Sequence, residues 1–210
     1  MVCKVGVVYE RRGPWVRLST SVVHENPWYS VRHDDVLRPD GRHGDYFTVE
    51  SSPAVFVVAF DEQGRIPLVR LYRYTVGRTS LEVPAGSCDP GELPLVAAKR
   101  ELAEETGLAA SQWDALGVLF PANGLLREEN YVFAAQGLVD TGSDDRAAEG
   151  IDEVVMVSAE EAWALVSDGT ITDSQTVAAL ALATFAQAIP KGPIIGGLRH
   201  TGDDEDPLPR

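Results

Sequence analysis

Cysteine and histidine are scarce in this chain of 210 residues, which has two cysteines and four histidines. Cys3 and Cys88 cannot form a disulfide framework, and they lack the spacing of a zinc finger. The histidines show no metal-ligand spacing, and none accompanies a serine or cysteine nucleophile motif. The composition therefore argues against a disulfide-stabilised fold, a zinc site and Ser-His-Asp chemistry, and it favours a reducing, cytoplasmic location.

Long apolar runs and excess positive charge are also lacking. No stretch of about twenty consecutive apolar residues occurs, and the sequence ahead of Arg11 contains no apolar run of signal-peptide length, so we expect a soluble protein with no membrane partner. The formal net charge of −14 at pH 7 argues against a nucleic-acid partner, because neutralising phosphates requires a basic surface. A small anionic substrate remains compatible, since a bound divalent cation reverses the local sign of the charge.

Three regions of different character follow one another along the chain. Residues 1–50 combine aromatic residues with short strand patterns, which predicts a small antiparallel β module. Residues 51–190 contain longer apolar runs and helical patterns, and they are expected to form the main domain. Within this domain, residues 54–60 and 66–74 predict a hairpin of buried strands. Residues 191–210 are rich in glycine, proline and acidic residues, which is typical of a disordered tail.

One helix carries a cluster of glutamates. Residues 92–106 are dense in good helix formers and end at Gly107, a residue suited to a left-handed C-cap, which predicts about four turns. On this helix Glu101 lies three residues before Glu104 and four before Glu105, so the three carboxylates share one face. Three like charges on one face repel one another, and a divalent cation is the simplest reason to tolerate them. Mg²⁺ is usually held by one or two carboxylates together with substrate phosphates, so the spacing indicates Mg²⁺ and a phosphate-bearing ligand.

A surface helix with solvated acids is the alternative interpretation of the same pattern. In that case Lys99 and Arg100 would pair with the glutamates, and the helix would hold no ligand. The spacing within this one helix leaves both interpretations open.

The pattern extends beyond the helix to residues 86–108. Gly86 is followed after five residues by Glu92, and after seven more by Arg100 and the run ELAEETGL, which includes Gly107. These are the fixed positions of the Nudix box, and the chain resembles the Nudix hydrolases, enzymes that cleave nucleoside diphosphates linked to another moiety. The resemblance implies an α+β fold, in which an α/β/α sandwich with a mixed β-sheet follows the N-terminal antiparallel β module. It also implies a glycine-bearing loop before a helix of metal-binding glutamates, which Arg100 braces by bidentate pairing.

The segment leading into the box, RLYRYTVGRTSLEVPAG, is similar to the ADP-ribose pyrophosphatase branch of the Nudix family. In that branch the alanine before the first box glycine offers its backbone carbonyl to the metal, and here it is Ala85. An arginine and a glutamate on the approaching strand often face the substrate, which points to Arg73 and Glu82. Arg73 would hold a diphosphate through its planar fork, although Arg70, Arg73 and Arg78 could equally form surface ion pairs.

Two loops after the box carry further candidates. Where branch members have a Pro-Gly loop followed by a glutamate, this chain has Asn123 in place of the proline and keeps the glutamate as Glu128, a candidate substrate contact. The acidic loop at 139–152 is too polar to pack and is interpreted as a mobile lid. Branch members place a catalytic glutamate there, which makes Glu149 the first candidate for the general base and Glu153 the second. The alternative is a solvated loop whose acids serve solubility.

The resemblance also implies an assembly, a cofactor and a reaction. Branch members usually dimerise through the N-terminal module, which implies a homodimer and makes Trp28 a candidate for stacking on the base across the interface. The implied cofactor is Mg²⁺, with Mn²⁺ as an alternative, held by Glu101, Glu104, Glu105 and the Ala85 carbonyl. The favoured reaction converts ADP-ribose to AMP and ribose 5-phosphate. Two alternatives stay open: a Nudix enzyme for a GDP-sugar, a dinucleotide or a coenzyme, and a non-catalytic module that binds a nucleotide sugar.

Overall fold

The computed structural model of the chain describes residues 6–142 and 146–188, so the predicted tail and residues 143–145 of the predicted lid lie outside the described residues. The described residues form twelve β-strands and three α-helices, which confirms the predicted α+β class. The strands are β1 (Gly6–Arg12), β2 (Trp15–Glu25), β3 (Tyr29–Leu37), β4 (His43–Ser51), β5 (Ala54–Phe60), β6 (Ile66–Arg73), β7 (Arg78–Glu82), β8 (Ala85–Ser87), β9 (Leu108–Leu119), β10 (Leu126–Arg127), β11 (Asn130–Asp140) and β12 (Ile151–Val157). The helices are α1 (Pro94–Thr106), α2 (Ala159–Ser167) and α3 (Ser174–Ala188).

The first sheet contains β1 to β4 as an antiparallel meander, with the short strand β10 added parallel to β4. The antiparallel β structure predicted for the N-terminal region is therefore confirmed. Leu126 and Arg127 of β10 pair with Val49 and Glu50 of β4. This pairing joins the N-terminal sheet to the main domain.

Two further sheets, with the orders β8-β5-β11-β9 and β12-β6-β7, form the main domain. Strands β5 and β6 belong to different sheets, so the predicted pairing of residues 54–60 with residues 66–74 is wrong. A tight turn does connect them, with the Asp61 N–H donating to the Arg65 carbonyl at 3.0 Å. The strands diverge beyond this turn because β5 pairs with β8 and β11, whereas β6 pairs with β7 and β12.

Strand β5 separates two hydrophobic cores, because alternate residues of a strand face opposite sides. Val55 and Val57 pack on one side in a core that includes Leu102 of α1. Val58 packs on the other side in a core that includes Leu180 of α3. The sheet is mixed, since β5 is parallel to β11 and β11 is antiparallel to β9. The predicted layers of helix, mixed sheet and helix are therefore confirmed.

Helix α1 has well-defined boundaries. It begins at Pro94, two residues later than predicted, and ends at Thr106 as predicted. Proline is favoured in the first turn of a helix, where its fixed φ fits and its missing N–H is not needed. Gly107 has a φ of 73° and donates its N–H to the Ala103 carbonyl at 2.8 Å. A left-handed C-cap therefore ends the helix, as the glycine predicts.

The two later helices both begin with capping hydrogen bonds. The Ser158 hydroxyl accepts the Glu161 N–H at 3.1 Å, and the Glu161 carboxylate accepts the Ser158 N–H at 2.7 Å, which forms a capping box before α2. The Asp173 carboxylate accepts the Thr176 N–H at 2.7 Å at the start of α3. None of the helices within the described ranges has the length and apolar character that a membrane span requires.

Candidate active site

A cavity of about 520 Å³ opens where the β8 segment, the β6–β7 turn and the beginning of α3 meet. This volume lies within the range of small-molecule sites. The structure brings five of the sequence-predicted candidates together around this space, namely Arg73, Glu82, Ala85, Gly86 and Glu128.

The carboxylates of Glu101 and Glu105 are buried where α1 meets β8, with residue exposures of 6% and 5%. Glu105 Oε2 accepts a hydrogen bond from the Ala85 N–H at 2.9 Å. Burial raises the pKa of Glu105 to about 8, although the Ala85 hydrogen bond acts to lower it. Burial also raises the pKa of Glu101, against the lowering effect of Arg100. The interpretation of a merely solvated helix is therefore wrong for these two residues, and a cation would be stabilised beside them.

Gly86 permits this close packing. A Cβ atom at this position would lie 2.1 Å from Oε1 and 2.2 Å from Cδ of Glu101. Any other residue would push the Glu101 carboxylate away from β8. The glycine of the box is therefore explained by its contact with the first glutamate of the helix.

Arg100 binds the glutamates of the site together, although its bidentate partner is Glu92 and not one of the predicted metal ligands. Its Nε and Nη2 donate to Glu92 at 3.1 and 2.9 Å, which is a bidentate pair. Its Nη1 donates to Glu101 at 2.7 Å and to Glu104 at 3.0 Å. Nη2 also donates to the Ser87 carbonyl at 3.0 Å. Glu92 thus anchors the guanidinium, which in turn restrains two of the candidate ligands beside β8.

The donor chemistry of this site fits a divalent cation. The side-chain oxygens at this site belong to carboxylates, which Mg²⁺ and Mn²⁺ prefer. The described ranges contain no group of three or more acidic, histidine or cysteine side chains already arranged as a metal cage. Mg²⁺ does not require such a cage, because waters and substrate phosphates usually complete its shell around one or two carboxylates.

Arg73 and Glu82 form a bidentate ion pair on the cavity wall. Arg73 Nε and Nη2 donate to the Glu82 carboxylate at 3.0 and 2.6 Å. The Glu82 side chain is 6% exposed and that of Arg73 is 43% exposed. The Glu82 hydrogen bonds raise the pKa of Arg73. The buried glutamate therefore holds the guanidinium in place at the cavity.

Glu128 lies between the cavity and the N-terminal sheet. Its carboxylate accepts the Ser51 hydroxyl, and it lines both this cavity and a neighbouring one of about 450 Å³. Ser51 pairs with Tyr29 across β4 and β3, which places the adjacent Trp28 at the same end of that sheet. The Trp28 residue is 78% exposed and lies outside the lining of the 520 Å³ cavity. Within one chain, Trp28 therefore lies apart from the candidate residues that line this cavity.

The two candidate bases occupy different environments. Glu149 is exposed in the turn before β12. Its negative charge contributes to the raised pKa values of Glu101 and Glu105, so it lies within electrostatic reach of the buried pair. Glu153 lies on β12 and accepts from Arg70 Nε at 3.0 Å in an exposed ion pair.

Arg78 and the beginning of α3 also line the cavity, although sequence reasoning gave them no role at the site. The sequence offers Arg78 only as a surface ion pair. The Val83 N–H donates to the Thr176 hydroxyl at 3.2 Å, which fixes the start of α3 against the end of β7. These two residues are 93 positions apart, so no local pattern could have indicated the contact.

Comparison with known proteins gives two family matches. The model of the NUDIX domain matches residues 50–180, and that of the nucleoside diphosphate sugar hydrolase N-terminal domain matches residues 15–49.

An ADP-ribose pyrophosphatase of Mycobacterium tuberculosis is 40% identical over 136 residues. The match covers 64% of this chain and 66% of that protein, which is just under two thirds of its length. A methanol dehydrogenase activator of Bacillus methanolicus is 32% identical over 177 residues, which cover 82% of this chain and 94% of that protein. The crystal structure of an ADP compounds hydrolase shares the fold with a TM-score of 0.74 at 23% identity, covering 85% of this chain and 97% of the other.

The raised pKa of Glu105 predicts a pH dependence of stability in the metal-free protein. A carboxyl group whose folded-state pKa of about 8 exceeds its unfolded value contributes stability that is fully present below the unfolded pKa and is lost as the pH rises toward 8. We expect the free energy of unfolding, measured by urea titration in EDTA, to fall from about pH 5 to about pH 8 more steeply for the wild type than for Glu105→Gln. The contribution of this residue to the slope is at most about 1.4 kcal/mol per pH unit.

The control for this measurement is Glu62→Gln, because Glu62 is exposed in the β5–β6 turn. This variant should keep the wild-type slope. Equal slopes for the wild type and Glu105→Gln would contradict the burial of an uncompensated carboxylate.

Proposed function

Because the chain belongs to the Nudix family, we propose that it is a Mg²⁺-dependent hydrolase of the diphosphate bond in a nucleoside diphosphate linked to another moiety. The favoured substrate is ADP-ribose, which gives AMP and ribose 5-phosphate, and the similarity to the Mycobacterium tuberculosis enzyme supports this choice. The observation that carries the proposal is the burial of Glu101 and Glu105 against Ala85 and Gly86, beside a cavity of nucleotide size.

The metal-binding residues in this proposal are Glu101, Glu105 and the Ala85 carbonyl, with Glu104 as a further ligand and Mn²⁺ as an alternative ion. A bound divalent ion supplies charge stabilisation for the diphosphate and lowers the pKa of the attacking water. Arg100 keeps Glu101 and Glu104 convergent, since a single nitrogen donates to both. The protein thus provides fixed oxygen ligands on one side of the cavity.

Glu149 is the proposed general base that takes the proton from the attacking water. Its exposed side chain can approach the cavity without disturbing a hydrophobic core, and its charge already acts on the buried glutamates. Glu153 is the second candidate, and its ion pair with Arg70 would have to break before it could act.

Arg73, Glu82 and Glu128 are the proposed substrate residues within one chain. Nε and Nη2 of Arg73 are engaged by Glu82, which leaves Nη1 to donate to a phosphate oxygen. Glu82 acts through Arg73 as a positioning residue, because a bidentate pair fixes the plane of the guanidinium. Glu128 lies at the boundary of two cavities and is placed to accept from a ribose hydroxyl.

Replacing Glu105 by glutamine should remove catalysis and preserve the fold. Glu105→Gln keeps the size of the side chain and removes its charge, so we expect kcat for AMP release from ADP-ribose to fall about 10²- to 10⁴-fold. The measurement is Mg²⁺-dependent hydrolysis of ADP-ribose, a GDP-sugar, a dinucleotide and a coenzyme, with circular dichroism as the test of folding. Glu62→Gln should retain wild-type turnover. Retained turnover by Glu105→Gln would contradict the metal site, and a wild type inactive on the whole panel would favour a non-catalytic binding module.

A pair of substitutions separates the two candidate bases. Glu149→Gln should lower kcat at least about 100-fold with little change in KM, because proton transfer is lost and binding is not. Glu153→Gln should change kcat by less than about threefold, since it breaks only an exposed ion pair. Steady-state kinetics on both variants decides the assignment. A larger loss in Glu153→Gln than in Glu149→Gln would exchange the two roles.

The proposed assembly is a homodimer through the N-terminal sheet, with Trp28 stacking on the base in the site of the other copy. Tyr29 and Phe47 of this sheet, and Trp28 in the bend before β3, are exposed aromatic residues that support an apolar contact surface. Light scattering should give the mass of two chains, and Trp28→Ala should raise KM for ADP-ribose about tenfold, because stacking on a base is worth roughly 1–3 kcal/mol. A monomer that hydrolyses ADP-ribose would rule out stacking across an interface.

A further inference from the structure

Arg78 stands at the start of β7 on the wall of the 520 Å³ cavity. Its Nη2 donates to the hydroxyl of Thr172, on the segment before α3. Among the residues that the structure describes, no carboxylate forms an ion pair with Arg78. A neutral hydroxyl therefore holds the Arg78 guanidinium at one nitrogen, and within the described ranges no carboxylate pairs with it directly.

The other charged groups around this cavity are engaged. Arg73 is paired with Glu82. The Glu128 carboxylate accepts from the Ser51 hydroxyl, and the Asp173 carboxylate caps α3 through the Thr176 N–H. Of the two arginines that line the cavity in the described part of the chain, Arg78 is the one without a carboxylate partner. An arginine without a carboxylate partner is unexpected in this chain, because acidic residues outnumber basic ones by 32 to 18 in the whole sequence.

We propose that Arg78 binds the diphosphate of the substrate and contributes to the preference of the cavity for an anionic ligand. This inference rests on the proposed function, because it takes the cavity as the place where the diphosphate lies. A planar guanidinium offers parallel N–H donors that match phosphate oxygens. Thr172 holds one nitrogen of Arg78 and is a positioning residue, and the remaining donors serve the phosphate.

A purely structural role for Arg78 makes a different prediction. Its hydrogen bond to Thr172 ties β7 to the segment before α3, and losing this tether could disturb the cavity wall. Arg78→Gln removes both the charge and the tether. Thr172→Val removes the tether and keeps the charge. Comparing these two variants therefore separates phosphate binding from tethering.

The experiment is steady-state hydrolysis of ADP-ribose with Mg²⁺. Arg78→Gln should raise KM about 10- to 100-fold, because hydrogen bonds to a charged group are lost. It should change kcat less than about threefold, because the substrate and the transition state lose the same binding energy. Arg78→Lys should recover part of the affinity through its charge, without the planar fork. Thr172→Val should raise KM less than Arg78→Gln does.

Two further measurements make the test specific. Raising the ionic strength should increase KM more for the wild type than for Arg78→Gln, because salt screens the attraction between Arg78 and the phosphates. Arg65→Gln removes an exposed arginine in the β5–β6 turn, paired with Asp61 away from the cavity, and should keep the wild-type KM. Thermal unfolding followed by circular dichroism checks that each variant is folded.

The possible results are distinguishable. If the wild type is active and Arg78→Gln keeps its KM, or if Thr172→Val matches Arg78→Gln in KM, the role of Arg78 is overturned and the proposed function stands. If the wild type hydrolyses no member of the substrate panel, the proposed function fails, and the role of Arg78 fails with it.

Discussion

Four carboxylates and one guanidinium meet at the junction of α1 and β8, and the proposed metal binding depends on this imbalance of charge. Arg100 donates to three of the carboxylates. The fourth, on Glu105, accepts the backbone N–H of Ala85. Burying uncompensated negative charge costs free energy, which is expressed in the raised pKa values of Glu101 and Glu105. A cation beside these two glutamates would remove that cost, so the feature that destabilises the metal-free protein would also give the proposed metal site its affinity.

The fold fixes this junction through a single strand. Gly86 of β8 pairs with Val55 of β5, and Val55 packs in the same core as Leu102 of α1. The helix and the β8 segment are therefore both positioned relative to β5, and the lack of a side chain on Gly86 lets Glu101 approach the backbone. The opposite wall of the cavity is held separately, by the hydrogen bond between Val83 and Thr176. Fixed elements on both sides are what a site needs to hold a ligand in a defined geometry.

Features confined to one helix could be predicted from the sequence. The shared face of Glu101 and Glu105 and the cap at Gly107 follow from residue spacing along α1, and the structure contains both. The brace by Arg100 came from the resemblance to the Nudix box, and its bidentate partner, Glu92, lies outside the helix. Helix geometry relates residues three and four apart directly, so no tertiary information was needed. The fixed spacing of the box also located Gly86, which lies outside the helix.

Features that depend on pairing between distant segments could not be predicted in the same way. The apolar runs on either side of the β5–β6 turn resemble a hairpin, and only their pairing with β11 and β12 places them in different sheets. Arg78 and Thr172 are 94 residues apart, so their meeting at the cavity depends on where α3 packs. The pairing of Glu153 with Arg70 could not be predicted either, because a register shift between Ile151 and Glu153 places Glu153 opposite Arg70.

A crystal structure with Mg²⁺ and a non-hydrolysable ADP-ribose analogue would show whether Glu101 and Glu105 share a divalent ion with the diphosphate of the substrate. If they do, at least one ion will lie about 2.0–2.1 Å from oxygens of these carboxylates, in contact with the diphosphate in the cavity lined by Ala85 and Gly86. An analogue bound elsewhere, or ions that contact neither glutamate, would rule out this metal site.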